Sequence, residues 1–206
     1  MNILIADDHA IVRKGLIQIL KEELSFTEVT EASNALELFD KIKDKTWDII
    51  ILDISMPGRN GIDILKQIRL SGIMAPVLIL SMHSEEQFGI RALKAGAAGF
   101  LNKESATDEL ANAIRRILSG RKYVSADLAE MLAAGPTADI LNPMSTLSDR
   151  ELQVFQLLAR GMTITEISNE VKLSVNTIST YRSRILDKLN LKNNAQLIRY
   201  ALDIGI

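Results

Sequence analysis

The chain has 206 residues, of which 24 are Lys or Arg and 26 are Asp or Glu, so its formal net charge is −2. A composition with 47% hydrophobic and 24% charged residues excludes a disordered chain, which could not bury enough apolar surface to fold. Because there is no cysteine, a disulfide scaffold, a thiolate metal site and a cysteine nucleophile are also excluded.

The first 120 residues alternate short apolar runs with longer amphipathic segments. The runs are rich in Ile, Val and Leu, as strands buried on both faces are. They lie at Asn2–Ala6, Phe26–Thr30, Asp48–Leu52, Pro76–Leu80 and Ala98–Leu101. Because the segments between them have helical periodicity, they predict a flavodoxin-like (βα)5 domain over residues 1–120, with a parallel sheet and helices on both faces.

Residues 121–144 are predicted to form a linker, because Gly135, Pro136 and Pro143 interrupt any regular pattern. It contains one candidate helix, at 126–133. Residues 145–206 then show four helical segments, at 148–160, 163–171, 175–190 and 193–204, which predict a small all-α domain. The second and third segments have the spacing of a helix-turn-helix.

Two of these helices begin with a capping box. Ser148 is followed three residues later by Glu151, and Thr163 is followed by Glu166 at the same spacing. In this motif the hydroxyl accepts from one free backbone N–H of the first turn, while the carboxylate accepts from another. The two pairs therefore predict that helices begin at these positions.

Charged and polar side chains stand where four of the predicted strands end. Asp7 and Asp8 end the first strand, and Asp53 ends the third. Ser81 and Lys103 end the fourth and fifth strands. Since strands one and three flank the switch point of a doubly wound sheet, we expect the three carboxylates to converge. Their mutual repulsion, and a set of oxygen ligands with room for water, predict a Mg²⁺ site.

Each of these residues also has a simpler explanation when it is taken alone. An aspartate after a strand is usually a turn or cap residue, and a lone lysine is usually a solvated surface charge. Their joint occurrence at four strand ends favours a functional site. His9 and His83 could touch the site, but we interpret both as surface residues. Since neither has partners at metal-ligand spacing, we predict no zinc site.

The stretches ILIADDH, IIILDISMPGRNGIDIL, LILSMHS and KAGAAGFLNK resemble the receiver domains of two-component response regulators, over nearly all of residues 2–120. The resemblance implies that Asp53 is the phospho-acceptor. It implies that Mg²⁺ is bound by Asp8, by Asp53 and by the backbone carbonyl of Ser55. Asp7 would act largely through a metal-bound water.

The resemblance also implies a switch made by Ser81, Phe100 and Lys103. Lys103 would contact the phosphoryl group, and Ser81 can donate a hydrogen bond to it. A Ser81 that moves toward the phosphoryl group vacates space for Phe100, which would repack the face made by the fourth helix, the fifth strand and the fifth helix. The chain departs from many receivers by having Ser81 in place of Thr, and Glu104 in place of Pro.

The third helix of the C-terminal domain has two different faces when its residues are placed at helical spacing. Its apolar side carries Ile178, Ile185 and Leu189. The side chains on the opposite side are small and polar near the N-terminus, and cations lie further along. This side carries Asn176, Ser179, Thr180, Ser183, Arg184 and Asp187. A helix that reads base edges at its start and binds phosphates around them has this distribution.

The stretch LSDRELQVFQLLARGMTITEISNEVKLSVNTISTYRSRILDKLNL resembles the LuxR-type output domain. With the receiver, it indicates a response regulator of the NarL/FixJ class. The resemblance puts base contacts at Ser179, Thr180 and Ser183. The resemblance also implies candidate phosphate contacts at Arg182, Arg184 and Lys188. Thr177 and Lys192 are additional candidates, and Asn176 is expected on the same exposed face. Residues 193–206 would form the dimer element.

The operator itself cannot be predicted, because many members have Lys where this chain has Ser179, and serine does not dictate one base. The modest net charge also conceals a local basic patch. Residues 174–192 contain four cations and one acid, so this segment has a net charge of +3. The cations are Arg182, Arg184, Lys188 and Lys192, and the acid is Asp187. Such a patch predicts salt-sensitive DNA binding that is weak for a single copy.

These patterns favour a cytoplasmic transcription regulator that is not an enzyme. A sensor histidine kinase would phosphorylate Asp53, and a homodimer would then bind double-stranded promoter DNA, with no role for a membrane. Two alternatives stay open. One is a metal-dependent phosphohydrolase acting through an aspartyl phosphate, although no second acid lies two residues after Asp53. The other is a regulator that works without phosphorylation.

Overall fold

The computed structural model of the protein describes residues 1–24, 28–56, 58–83, 85–133 and 143–204. The chain forms two compact units, Met1–Ala133 and Ala134–Ile206. Within the described residues, no helix combines the length and the apolar character needed to cross a membrane.

The first unit is built on one parallel sheet of five strands. The strands are β1 (Asn2–Ala6), β2 (Glu28–Ala32), β3 (Ile49–Asp53), β4 (Val77–Ser81) and β5 (Gly99–Asn102). Their order across the sheet is β2-β1-β3-β4-β5, and every neighbouring pair is parallel. The predicted flavodoxin-like (βα)5 fold is therefore confirmed.

Helices alternate with these strands because the chain must cross over between parallel neighbours. They are α1 (Ala10–Glu23), α2 (Ala35–Lys41), α3 (Gly61–Leu70), α4 (Glu85–Lys94) and α5 (Ala106–Leu118), with one 3₁₀ turn at Lys103–Ser105. All five residues of β3 and of β4 are buried, as strands covered on both faces should be. Alternate strand residues such as Ile3, Ile5 and Ile51 share one apolar core with Leu110 and Ile114 of α5.

The second strand differs most from its sequence prediction. Predicted at residues 26–30, it pairs along Glu28–Ala32, with Asn2 opposite Glu28 and Ala6 opposite Ala32. Phe26 and Thr27 lie outside the described residues. The ladder is set by pairing with β1, and the edge strand is polar and half exposed, so the apolar run was a poor guide to its ends.

Residues 121–133, assigned to the linker from the sequence, belong to the first compact unit. The candidate helix at 126–133 is present as α6 (Ala126–Ala133). Tyr123 and Leu128 are buried, and Tyr123 forms a parallel bridge with Gly99 of β5. The rest of the predicted linker, residues 134–142, lies outside the described part of the chain.

The second unit is helical. After a 3₁₀ turn at Pro143–Thr146 come α7 (Asp149–Ala159), α8 (Ile164–Val171), α9 (Val175–Lys188) and α10 (Asn194–Asp203). Both predicted capping boxes are formed, Ser148 with Glu151 and Thr163 with Glu166. The helices bury a shared core that includes Phe155, Ile178 and Leu197. The last two residues of the predicted dimer element, 205 and 206, lie outside the described chain.

Candidate acidic site and nucleic-acid interface

The carboxyl edge of the sheet brings a buried lysine between two buried carboxylates. Asp53 is the last residue of β3, and Asp7 directly follows β1. Because Ala6 pairs with Leu52 in the neighbouring strand, the next residue of each strand lies at the same edge. The Lys103 Nζ atom, just beyond β5, is 2.6 Å from Asp7 Oδ2 and 2.9 Å from Asp53 Oδ2.

Burial sets the electrostatics of this site. Asp53 and Asp7 are each only 1% exposed. The pKa of Asp53 is raised to about 6, mainly by burial and also by the neighbouring Asp7 carboxylate, while Lys103 opposes the rise. Burial alone would lower the pKa of Lys103, but the Asp53 and Asp7 carboxylates outweigh it and raise that pKa. The site is therefore short of positive charge even with its lysine in place.

The donor set fits a hard cation. One ligand atom each from Asp7, Asp8, His9 and Asp53 lies within 4.8 Å of the others. Three buried oxygens, Asp7 Oδ2, Asp8 Oδ1 and Asp53 Oδ2, accept no well-aligned hydrogen bond from the described residues. Two of them are nevertheless close to Lys103. Carboxylate oxygens with unused lone pairs are the ligands that Mg²⁺ prefers.

Ser55 lies directly beside the acidic cluster. Its backbone N–H donates to Asp53 Oδ1 at 3.1 Å, so the loop after β3 turns back toward the carboxylate. Gly61 at the start of α3 makes this turn possible, because a Cβ atom there would lie 2.4 Å from the Asp53 carbonyl oxygen.

Ser81 and Phe100 of the expected switch are both fully buried on neighbouring strands. Ser81 ends β4 and Phe100 lies on β5, and each has no exposed surface. The register pairs Asp53 with Leu80 and Ser81 with Asn102, which brings the Ser81 hydroxyl to the same edge as Asp53. Its oxygen accepts a hydrogen bond from the His83 backbone N–H at 2.9 Å.

Both histidines contact residues of the acidic site, which was the alternative to their interpretation as surface residues. His9 Nδ1 is 2.9 Å from Asp8 Oδ1, although the ring remains largely exposed. His83 is half-buried, with Nε2 3.2 Å from Ser55 Oγ and its ring against Phe88. Their positions two residues after Asp7 and two after Ser81 were the only sequence signal.

The polar face expected on the DNA-reading helix is exposed on α9. Asn176, Thr180, Ser183 and Arg184 are exposed, and Ser179 is partly exposed. The hydroxyl of Thr180 donates back to the Asn176 carbonyl oxygen at 2.9 Å. Thr177 is engaged at the start of the helix, where its N–H donates to the Ser174 hydroxyl at 3.1 Å.

Two of the cations expected to contact phosphate are bonded within their own domain. Arg182 Nε donates to Asn194 Oδ1 at 2.6 Å. Lys188 Nζ donates to the buried Glu151 carboxylate at 2.6 Å and to the Thr146 carbonyl oxygen at 3.1 Å. Arg184 and Lys192 are exposed, and no ion pair within the described ranges involves either. The helical pattern could not distinguish these two kinds of cation.

Comparisons with known families agree with this division into two units. Residues 3–115 match the family model described as "Response regulator receiver domain". Residues 145–201 match the one described as "Bacterial regulatory proteins, luxR family". The first match contains every residue assigned above to the acidic site, and the second contains all of α9.

Similar proteins match along the whole chain. Response regulator UvrY of Escherichia coli (strain K12) is 32% identical over 208 residues, covering 100% of this chain and 95% of that protein. The oxygen regulatory protein NreC of Staphylococcus epidermidis is 34% identical, with 98% and 97% covered.

Solved structures of similar proteins also match along nearly the whole chain. The RcsB response regulator of Salmonella typhimurium superposes with a TM-score of 0.74 at 26% identity, covering 100% of this chain and 98% of that one. RcsB bound to promoter rprA with the phosphomimetic BeF3⁻ gives a TM-score of 0.68 at 27% identity, with 97% and 98% covered. This chain therefore belongs to the NarL/FixJ-class response regulators, which join a receiver domain to a LuxR-family DNA-binding domain.

Proposed function

We propose that a sensor histidine kinase phosphorylates Asp53 and that the phosphorylated chain, as a homodimer, controls transcription from promoter DNA. The observation that carries this proposal is the placement of Lys103 Nζ 2.9 Å from Asp53 Oδ2, with both side chains almost fully buried. A carboxylate that is held beside a fixed cation at the open edge of a sheet can act as a nucleophile toward a phosphoryl group.

The transfer follows from the groups present. An Asp53 oxygen attacks phosphorus on the kinase phosphohistidine, forming a phosphorus–oxygen bond as the phosphorus–nitrogen bond breaks. The kinase imidazole leaves and takes up a proton. Because phosphoryl transfer depends mainly on positioning and on neutralising charge, the role of Lys103 is to stabilise the negative phosphoryl oxygens.

The buried carboxylate oxygens that accept no well-aligned hydrogen bond within the described chain support Mg²⁺ as a cofactor. Asp8, Asp53 and the Ser55 carbonyl would hold it, with Asp7 acting largely through water. When bound, the ion supplies positive charge that offsets the charge on the transferring phosphoryl group. Asp7 remains paired with Lys103, so it also orients the lysine.

Ser81 and Phe100 are positioned to convert phosphorylation into a change of packing. A Ser81 hydroxyl that donates to a phosphoryl oxygen moves toward Asp53. Phe100, on the adjacent strand, is buried at the same face and can occupy the vacated space. Since packed cores switch between discrete arrangements, a small movement at Ser81 can shift the whole face made by α4, β5 and α5.

In the second domain, the exposed start of α9 is the proposed DNA-reading surface. Ser179, Thr180 and Ser183 would contact base edges, with Asn176 beside them. Arg184 and Lys192 are available for phosphates because they are exposed and take part in no ion pair among the described residues. Arg182, Lys188 and Thr177 need their internal bonds rearranged to contribute. Residues 193–206 would pair two copies, so that two recognition helices read two half-sites.

Selection of bound DNA from a random pool, with and without BeF₃⁻ and Mg²⁺, tests this proposal. We expect a paired half-site to be enriched from the BeF₃⁻-treated chain and much less from the Asp53→Asn variant. Enrichment that is equal in all samples would instead favour the phosphorylation-independent regulator. Continuous release of phosphate from small phosphoesters, over many turnovers, would favour the phosphohydrolase instead. The proposed regulator would act in the cytoplasm.

A further inference from the structure

We propose that the face made by α4, β5 and α5 is an interaction surface whose partner is residues 121–133 of the same chain, and that phosphorylation of Asp53 releases this segment. We call residues 121–133 the strap. The inference rests on the proposed function of Asp53, and it names the segment that responds when the packing of Ser81 and Phe100 changes.

The strap covers the open edge of β5. Because β5 is the last strand of the sheet, one side of its backbone is free to pair with another segment. The Tyr123 N–H donates to the Ala98 carbonyl oxygen at 3.0 Å, and the Phe100 N–H donates to the Tyr123 carbonyl oxygen at 3.2 Å. The expected switch aromatic is therefore bonded directly to the strap through its backbone.

The same tyrosine joins the strap to α5. Its ring is buried in the core that contains Ile114 and Ile117, and its hydroxyl donates to Glu109 Oε2 at 2.6 Å. Gly99 allows the close approach, because a Cβ atom there would lie 2.7 Å from the Tyr123 carbonyl oxygen.

Helix α6 of the strap packs on α4. The Ser125 hydroxyl donates to the Glu85 carboxylate and accepts from the Leu128 N–H at 3.0 Å. Leu128 has no exposed surface. A Cβ atom on Gly89 would lie 2.8 Å from both of its terminal carbons, so the leucine fits where α4 has no side chain.

Two short paths link these contacts to the acidic site. The first runs from Ser81 to the His83 N–H, at 2.9 Å, and from the His83 ring to Phe88, next to Gly89. The second is the Phe100 backbone bond to Tyr123. Movement of Ser81 and Phe100 toward a phosphoryl group on Asp53 is movement away from the strap, which lies on the outer edge of β5. Phosphorylation should therefore weaken the contact.

Amide hydrogen exchange on the full-length, unsubstituted chain tests the release. After treatment with acetyl phosphate and Mg²⁺, the amides of Phe100 and Tyr123 should exchange about tenfold faster or more, because their bonds between β5 and the strap open more often. The Leu128 amide, bonded to Ser125 within the strap, should also exchange faster once α6 no longer packs on α4. Amides of β1 should not change. The Asp53→Asn variant should show no acceleration.

The Gly89→Ala variant provides an independent check. The added methyl group displaces Leu128, so the strap amides should exchange fast without any phosphoryl donor, while Asp53 still accepts phosphate. Gly15→Ala is the matched control, because that helical glycine is exposed and has nothing within 4 Å of an added Cβ. Strap exchange as slow in Gly89→Ala as in the parent would overturn the proposal.

Mass spectrometry of the same samples separates two failures. If Asp53 carries the phosphoryl group but the strap amides exchange at an unchanged or lower rate, the strap proposal is wrong and the proposed function survives. If Asp53 gains no phosphoryl group, the proposed function fails and the strap proposal fails with it.

Discussion

The acidic site and the recognition helix hold their charges in opposite ways. In the acidic site, Asp7, Asp53 and Lys103 arrive from three separate strand ends and are almost fully buried against one another. On α9, the polar groups come from one helix, and Ser183 and Arg184 are exposed. The comparison shows that the buried site depends on side chains that converge from separate strands, whereas a DNA-reading surface depends on side chains of one helix that remain exposed.

The largest effect is expected from removing the cation that lies between the two buried carboxylates. Lys103→Met keeps the length of the side chain but removes its charge from beside Asp53, so phosphoryl transfer should slow by about 100-fold or more. A single-turnover assay with a phosphoryl donor measures it. Lys21→Met, on the exposed side of α1, is the control, and an equal rate in both variants would remove Lys103 from the site.

The next effect tests how tightly the backbone around Asp53 is packed. Gly61→Ala puts a methyl group 2.4 Å from the Asp53 carbonyl oxygen, so it should destabilise the receiver by about 3 kcal/mol. Urea unfolding measures the loss, with Gly15→Ala as the matched control. A Gly61→Ala domain as stable as the parent would mean that the loop after β3 can move freely.

The raised pKa of Asp53 predicts how stability depends on pH in the absence of metal. Between the unfolded pKa near 4 and the folded value of about 6, the folded state binds more protons. Stability from this group is therefore lost as the pH rises, and the full cost is present above pH 6. Relative to the parent, the free energy of unfolding of Asp53→Asn should be higher by on the order of 1–3 kcal/mol at pH 7.5, and little changed at pH 4.

Thermal unfolding in a chelator at the two pH values measures this gain. Addition of Mg²⁺ at pH 7.5 should reduce it, because the ion stabilises only the chain with the Asp53 carboxylate. A gain that is the same at pH 4 and pH 7.5 would show that burial does not raise the pKa of this group.

The smallest effect distinguishes the two kinds of cation on α9. Arg184→Ala should reduce the slope of log affinity against log salt by about 1, as expected for one lost phosphate contact. Lys188→Met should leave the slope nearly unchanged and lower the stability of the domain, since it removes the partner of the buried Glu151. A slope lowered equally by both variants would show that Lys188 leaves Glu151 to bind DNA.

The sequence was a good guide to the acidic site and a partial one to the interface. Residues such as Asp53 and Ser81 could be predicted to converge, because parallel strands place their carboxyl ends at one edge. The bond between Lys188 and Glu151 could not be predicted, since the two residues are far apart in sequence and helical periodicity describes only one helix. The same holds for Leu128, which the sequence placed in a linker.

The apolar runs alone do not give the exact ends of strands. The runs of the third and fourth strands stop one residue before Asp53 and Ser81, which are predicted at the strand ends, and both take part in the ladder, where Asp53 pairs with Leu80 and Ser81 with Asn102. Strand pairing is made by the backbone, so a polar side chain at the end of a strand does not stop it.

The measurement that tests the central claim most directly is the affinity of the full-length chain for a selected promoter before and after phosphorylation of Asp53. Binding is followed at one fixed salt concentration, with Asp53→Asn as the reference. We predict that phosphorylation tightens binding by a factor of about 5–150 and that Asp53→Asn shows no gain. Equal affinity of the two forms, with Asp53 verified as phosphorylated, would contradict the account.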